Sequence, residues 1–180
     1  MDEEGRLLLK IISSLLQYPD EGMMASLALT RKLLKSLKRT EAVAKSEDFL
    51  QYLESTPLLP LRENYTQIFD LHPPTCLNLT YHRWGDGKER ANALLHLLHL
   101  YKNAGYEVLG EDIPDYLPMI LEFLSICPGN VYLQIIEEYT DQVTAITSRL
   151  QEMGSPYGLL FEAISMLFTK LQRAGGHGNG

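Results

Sequence analysis

The 180-residue chain suits a single domain, and it carries 23 acidic against 16 basic residues, a formal net charge of −7. This balance argues against nucleic acid as a partner, because a phosphate backbone is bound by clustered Lys and Arg. Hydrophobic residues make up 45% of the chain, as is usual for a globular protein. No apolar run approaches the ~18 residues that would span a bilayer, so we expect no direct membrane insertion.

Both cysteines and the chain start favour a cytoplasmic location. Cys76 and Cys127 lie far apart and in no metal-ligand spacing, so they predict reduced thiols and no disulfide framework. The sequence begins Met-Asp-Glu-Glu, which is acidic where a signal peptide would be basic. We therefore expect a protein that stays in the cytoplasm.

Apolar residues in the first third of the chain recur at the three-to-four-residue spacing of helices. The pattern predicts a helix that ends at Pro19, a second over about 20–39 and a weaker third over about 41–53. The second helix also carries a basic cluster. We interpret that cluster as a solvated helix face, in preference to a docking patch; it consists of Arg31, Lys32, Lys35, Lys38 and Arg39.

The middle of the chain is interrupted by prolines. Pro57 and Pro60 break the third helix, and residues 61–71 predict a short helix with Tyr65 and Phe69 on its apolar side. After the Pro-Pro pair at 73–74, the stretch 76–84 alternates as a strand does, but no partner strand is evident. We interpret it as a short helix or an extended connector.

Four further helices are predicted from capping signals. Asp86 is expected to cap a helix over about 88–104, and Asp115 one that runs to about residue 127. The last two begin at Asn130 and at Ser155-Pro156. The prediction is an all-α, single-domain helical bundle of about six to eight helices in residues 1–174, followed by a disordered glycine-rich tail at 175–180.

No complete catalytic or metal-binding constellation is visible in the sequence. There is no phosphate-binding Gly-x-x-x-x-Gly-Lys-Ser/Thr loop and no Glu-x-x-His pair. His96 and His99 lie three residues apart and could share a metal, but they lie in a leucine-rich run that favours packing. We expect no enzyme and no cofactor; a helical metal protein or enzyme that uses His96 and His99 is the alternative.

An acidic, proline-containing segment precedes the apolar helix that begins near residue 117. Residues 111–118 read Glu-Asp-Ile-Pro-Asp-Tyr-Leu-Pro, and Glu122 follows within the helix. Carboxylates favour the positive N-terminal end of a helix, so the segment can be an ordinary acidic cap. It can also form a rigid negative rim beside a hydrophobic groove.

Four stretches, in the same order along the chain, resemble signatures of the nitrate reductase delta-subunit family of molybdoenzyme assembly chaperones. The resemblance covers about residues 7–125, and Tyr116 departs from it, because many relatives carry histidine there. We therefore expect no role here that depends on an imidazole titrating near neutral pH. The four stretches are Leu-Leu-Gln-Tyr-Pro at 15–19, Tyr-Thr-Gln-Ile-Phe-Asp-Leu at 65–71, the Gly85-Asp86 turn with the helix up to Gly105, and residues 111–123.

The resemblance implies a TorD-like all-helical chaperone dedicated to one molybdenum oxidoreductase such as nitrate reductase. Such a chaperone binds the apo catalytic subunit, typically through its N-terminal segment, a twin-arginine leader in exported enzymes, and supports cofactor insertion. We expect a monomer or weak homodimer. A generic helical interaction module remains a second alternative. The residues expected to bind the peptide are Tyr65, Phe69, Asp70, Glu111, Asp112, Asp115, Tyr116 and Glu122.

Overall fold

The structure is a computed structural model that describes residues 1–108 and 113–176. Within those residues the chain forms nine α-helices and no strand, so the predicted all-α class is confirmed. Tyr65 leads into a π-helical turn (Thr66–Asp70) and His72 into a short 3-10 turn (Pro73–Thr75). The helices are α1 (Glu3–Leu15), α2 (Glu21–Ser36), α3 (Glu41–Ser55), α4 (Leu58–Tyr65), α5 (Tyr81–Trp84), α6 (Lys88–Asn103), α7 (Leu117–Ile126), α8 (Val131–Glu152) and α9 (Gly158–Gly176).

One continuous hydrophobic core joins these helices. α1 packs along α7, α8 along α9, and α9 also along α3. Leu9 and Ile12 of α1 and the following Leu16 are fully buried, and Phe49 of α3 packs on Tyr157 with ring centroids 4.9 Å apart. The apolar stripe predicted for each of these helices therefore faces the centre of the bundle.

The first three helices begin at side-chain caps. Asp2, Asp20 and Thr40 accept hydrogen bonds from the backbone N–H groups of the third residue beyond each of them. Each such cap typically stabilises a helix by ~1 kcal/mol, because it satisfies an otherwise unpaired N–H group. Local sequence thus defines where these helices start.

Two of the four caps predicted for later helices, Asp86 and Asp115, are wrong, and Asn130 is a cap by position alone. Ser155 accepts from the N–H group of Tyr157 over 3.3 Å, and α9 begins at Gly158. Gly87 occupies the cap position of α6, while Asp86 pairs with Arg90, with Oδ1 and Nη1 3.3 Å apart. Asp115 is one residue too early for α7, whose cap position is Tyr116, and its carboxylate is used elsewhere. Asn130 lies at the cap position of α8 but makes no side-chain cap bond.

The proline-rich middle of the chain is more helical than predicted. α4 begins at Leu58, directly after Pro57, and Pro60 lies in its first turn, where a missing N–H group costs nothing. The stretch 76–84 contains both predicted alternatives, since Asn78 forms an isolated antiparallel bridge with Tyr116 and α5 follows. That bridge joins two segments on either side of α6.

The last helix reaches Gly176, and the rest of the predicted tail, residues 177–180, lies outside the described residues. Among the helices of the described chain, none is long and apolar enough to cross a membrane.

Candidate functional site

The candidate site is a groove of about 590 Å³ beside α7. The end of α1 and the loop after it form one side, and the end of α6 with residues 106–108 forms the other. Its surface combines aromatic, apolar and acidic side chains. The lining residues are Gln17, Tyr18, Asp20, Tyr101, Tyr106, Glu107, Val108, Tyr116, Pro118, Met119, Glu122, Phe123 and Ile126.

Two tyrosine hydroxyls meet at the floor of this groove. The Tyr65 hydroxyl donates to the carbonyl oxygen of Leu16 over 3.2 Å and lies 2.9 Å from the hydroxyl of Tyr116. Tyr65 is buried, and that burial raises the pKa of its phenol above the usual range. The Tyr65 hydroxyl therefore stays protonated, and it fixes the position of the half-buried Tyr116 ring.

An aromatic cluster supports Tyr65 from behind. Phe69 packs on Tyr65 and on Tyr157, with ring centroids 4.9 and 4.8 Å away. Phe69 is only 4% exposed and Tyr157 is fully buried. Both Tyr65 and Phe69 are thus core residues next to the groove and not part of its open surface. Asp70 is exposed at the end of the π-helical turn and does not line the groove.

The wall opposite α1 is held by two tyrosines that contact Phe123 of α7. Tyr101 packs on Phe123 at 4.5 Å between centroids, and its hydroxyl donates to the carbonyl oxygen of Pro114 over 2.8 Å. Tyr106 meets the same ring edge-on at 5.7 Å and donates to the carbonyl oxygen of Ile126 over 3.3 Å. The wall is therefore built before any ligand binds.

Three carboxylates lie on the rim of the groove. Glu122 forms an ion pair with Lys10 of α1, in which both side chains are nearly half exposed. Asp20 caps α2 by accepting from the N–H group of Met23 over 2.6 Å. Glu107 is exposed and has no bonding partner among the described residues. The predicted rim residues Glu111 and Asp112 lie outside the described residues.

Asp115, predicted to lie on the same rim, points away from it and is fully buried. Its carboxylate accepts a hydrogen bond from the side-chain amide of Asn78 over 2.9 Å. It also accepts from the backbone N–H group of Thr80 over 3.1 Å and from the hydroxyl of the same residue. Arg90 adds a cation, with Nη2 3.7 Å from Oδ2. The carboxylate thus anchors the start of α7 to the stretch 76–80.

The groove also contains residues that sequence analysis did not single out for binding. Tyr18 is 47% exposed, meets Tyr65 edge-on at 5.4 Å and lies under the guanidinium of Arg62, 6.0 Å from the ring centroid. It belongs to the family-like stretch 15–19, which was the available signal. Met119 likewise lies in the family-like stretch 111–123. Glu107 belongs to none of the four stretches, and only the folded chain places it beside the others.

The alternative based on His96 and His99 receives no supporting geometry. Both side chains are exposed on α6. His96 Nε2 lies 3.3 Å from the Gln134 amide and 3.9 Å from a Glu138 carboxylate oxygen. In the part of the chain that the structure describes, no three His, Cys, Asp or Glu side chains converge as a metal site would require.

Comparison with known proteins identifies the class to which this helical protein belongs. The crystal structure of a proposed redox enzyme maturation protein from Archaeoglobus fulgidus has the same fold, with a TM-score of 0.68 over 91% of this chain and 93% of that one. At 22% identity, this likeness shows the fold alone.

The family model described as nitrate reductase delta subunit matches residues 36–163, so the chain belongs to that family. The protein named "probable nitrate reductase molybdenum cofactor assembly chaperone NarJ" of Bacillus subtilis is 29% identical, over 96% of this chain and 92% of its own. The nitrate reductase molybdenum cofactor assembly chaperone NarJ of Escherichia coli is 28% identical, over 88% of this chain and 68% of its own. These relatives are assembly chaperones and not catalysts, which confirms the family and the non-enzymatic prediction.

Proposed function

We propose that this protein is a cytoplasmic chaperone that binds the apo catalytic subunit of a molybdenum oxidoreductase such as nitrate reductase. The N-terminal segment of that subunit occupies the groove beside α7, and the chaperone holds the subunit while its molybdenum cofactor is inserted. The names of the relatives from Bacillus subtilis and Escherichia coli support the assembly role.

The observation that supports peptide binding is that exposed aromatic side chains and carboxylates line the same groove. An N-terminal leader carries arginines next to an apolar stretch, so its receptor needs negative charge beside exposed hydrophobic surface. Glu107 and Glu122 supply the charge, while Tyr18, Tyr106 and Met119 supply the apolar contacts. A methionine also adapts to side chains of different shape.

The rigidity of the groove supports the same proposal. Tyr116 is fixed through Tyr65, and Tyr101 is fixed through the carbonyl of Pro114. A binding surface that is already ordered loses less conformational freedom when its ligand binds, so more of the contact energy appears as affinity.

The sharpest test reverses the charge of Glu107. The probe is a synthetic peptide with the N-terminal sequence of the nitrate reductase catalytic subunit from the same organism, titrated calorimetrically at low and high salt. Glu107→Lys should weaken binding at low salt and make the affinity less salt-dependent, because it removes an attraction that salt screens. Its melting temperature should stay unchanged, because the Glu107 side chain is exposed.

The matched control is Asp141→Lys, which makes the same charge change on the exposed surface of α8, away from the groove. If Glu107→Lys and Asp141→Lys weaken the peptide equally, net charge and not the groove governs binding. If the parent protein does not bind the peptide at all, the groove is not the receptor for this segment.

The predicted rim residues Glu111 and Asp112 extend the test. Their double reversal should likewise weaken the peptide while leaving the melting temperature nearly unchanged. Asp115 is unsuitable for this purpose, because its buried carboxylate holds α7 in place. Equal affinity of the parent and the double variant at both salt concentrations would remove these two residues from the rim.

A further inference from the structure

A second charged surface lies along α2 and has the opposite sign to the groove. Residues 22–40 contain none of the 23 acidic residues of the chain but five of its 16 basic ones. The rest of the protein is therefore more acidic than its net charge of −7 indicates. Such a segregation of charge is more than a solvated helix face requires.

The basic side chains lie on the outer side of the helix. Leu27 and Leu34 are buried against the bundle, whereas Lys32 is exposed on roughly the opposite side and Lys35 on the flank of the helix. Leu29, one turn before Lys32, is 60% exposed. With 16 residues, α2 is about 24 Å long. Lys32 and Lys35 lie in its second half, and Lys38 and Arg39 are exposed in the connection directly after its end.

Most of these cations are not neutralised within the protein. Arg31 pairs with Glu54, and Lys35 lies close enough to the same carboxylate to help lower its pKa. Among the described residues, no carboxylate pairs with the side chains of Lys32, Lys38 or Arg39; Glu4 accepts only from the backbone N–H group of Lys38. The positive charge of this surface is thus available to a partner.

We propose that this basic face, defined as Leu29, Lys32, Lys35, Lys38 and Arg39, binds the surface of an anionic membrane. A plane of negative headgroups suits cations that are exposed together at the end of a helix, and clusters of four or more basic residues attract acidic lipids through such contacts. Leu29 reaches the boundary of the acyl region beside the headgroups. A nucleic acid backbone would offer Leu29 no apolar surface.

The association is peripheral, reversible and compatible with an occupied groove. Asp20, which lines the groove, caps the first turn of α2, whereas the basic face lies towards the last turn. Acidic residues elsewhere on the protein repel the same membrane, but at physiological salt that repulsion is screened beyond about 8 Å. Only the surface that touches the headgroups then determines binding.

The experiment is co-sedimentation of the full chain with vesicles. One set consists of phosphatidylcholine alone, and the other of equal parts of phosphatidylglycerol and phosphatidylcholine. The protein should partition to the anionic set only, and added salt should release it. Replacing both Lys32 and Lys35 by Gln should lower the partition coefficient on the order of 30-fold, since each lysine near the surface contributes a factor of about five.

The matched control replaces Lys88 and Lys102 by Gln, which changes the net charge equally on the exposed surface of α6. Leu29→Ser should also weaken vesicle binding, but without changing its salt dependence. Equal losses in the two double variants would overturn the proposal, as would equal binding to both vesicle sets or none to either. If the protein bound polyglutamate or duplex DNA more tightly than anionic vesicles, the partner of the basic face would be an acidic macromolecule and not a membrane.

Discussion

The two faces of the segment 113–122 use the same kind of residue for different purposes. Asp115 is fully buried and faces the stretch 76–80, where its carboxylate joins Asn78, Thr80 and Arg90. Glu122 lies seven residues later, nearly half exposed on the rim of the groove, and its only described ion pair is with Lys10. In sequence both belong to one acidic cluster.

This difference shows that burial, and not residue type, separates a structural carboxylate from an exposed one. In the proposed function, only the exposed carboxylate contacts the peptide. A buried carboxylate loses its hydration and must be held by several donors, so removing it destabilises the fold. An exposed carboxylate in a surface pair contributes little to stability and remains available to a ligand. Mutations on the two faces should therefore change different quantities.

The largest effect is expected for the aromatic support behind the groove. Phe69→Ala should lower the free energy of unfolding by ~3–5 kcal/mol, because it removes a buried ring that packs on Tyr65 and Tyr157. Tyr65→Ala should behave similarly. Urea denaturation measures both. A variant that kept the parent melting temperature yet lost peptide binding would instead show that its residue contacts the ligand.

A somewhat smaller loss is expected at the buried face. Asp115→Ala should lower the free energy of unfolding by about 3 kcal/mol, because it leaves Thr80 and the Arg90 cation without their acceptor. Asp86→Ala is the matched control, since it removes the other carboxylate beside Arg90. The Asp86 side chain is 85% exposed. Chemical denaturation that gave the same small change for both variants would contradict the anchoring role of Asp115.

The hydroxyl pair at the groove floor should contribute less. Tyr116→Phe removes the hydroxyl 2.9 Å from that of Tyr65 and should cost ~1 kcal/mol of stability. The double variant with Tyr65→Phe then measures the coupling between the two hydroxyls. Strictly additive effects in thermal and chemical unfolding would mean that the pair does not position the Tyr116 ring.

The smallest effect on stability is expected at the exposed face, where the variant should bind the peptide more tightly. Lys10→Met breaks the pair with Glu122 and should change the free energy of unfolding by less than ~1 kcal/mol. Because the freed carboxylate can then pair with an arginine of the peptide, calorimetry should show a two- to fivefold gain in affinity, at most about 1 kcal/mol.

Lys170→Met provides the control for that gain. Lys170 forms a comparable exposed pair with Asp2, away from the groove. An affinity that fell in Lys10→Met, or that rose equally in both variants, would show that Lys10 does not compete with the ligand for Glu122.

Local patterns were sufficient to predict the long helices. The spacing of three to four residues that predicted α1, α2 and α3 depends on residues about one turn apart. The role of Asp115 could not be predicted in this way. Its partners Asn78 and Thr80 lie 37 and 35 residues away in sequence, and an Asp just before a proline-containing helix has the local pattern of a cap.

The groove was predicted only in part for the same reason. Tyr116 and Glu122 lie on one short stretch of apolar and acidic residues, so the sequence pointed to them. Tyr18 and Glu107 come from separate segments that meet only when α1 and the end of α6 pack beside α7. Such a surface is a product of tertiary packing and leaves no periodic signal.

The bridge between Asn78 and Tyr116 makes amide exchange a reporter of this site. The N–H group of Leu117 donates to the Leu77 carbonyl over 2.8 Å, and that of Leu79 to the Asp115 carbonyl over 3.1 Å. Both amides can exchange with deuterium only when the two segments separate. In the proposed function, a peptide that holds Tyr116 from the groove side should suppress that separation. Its binding should then slow exchange at Leu79, on the face of the segment that it never touches.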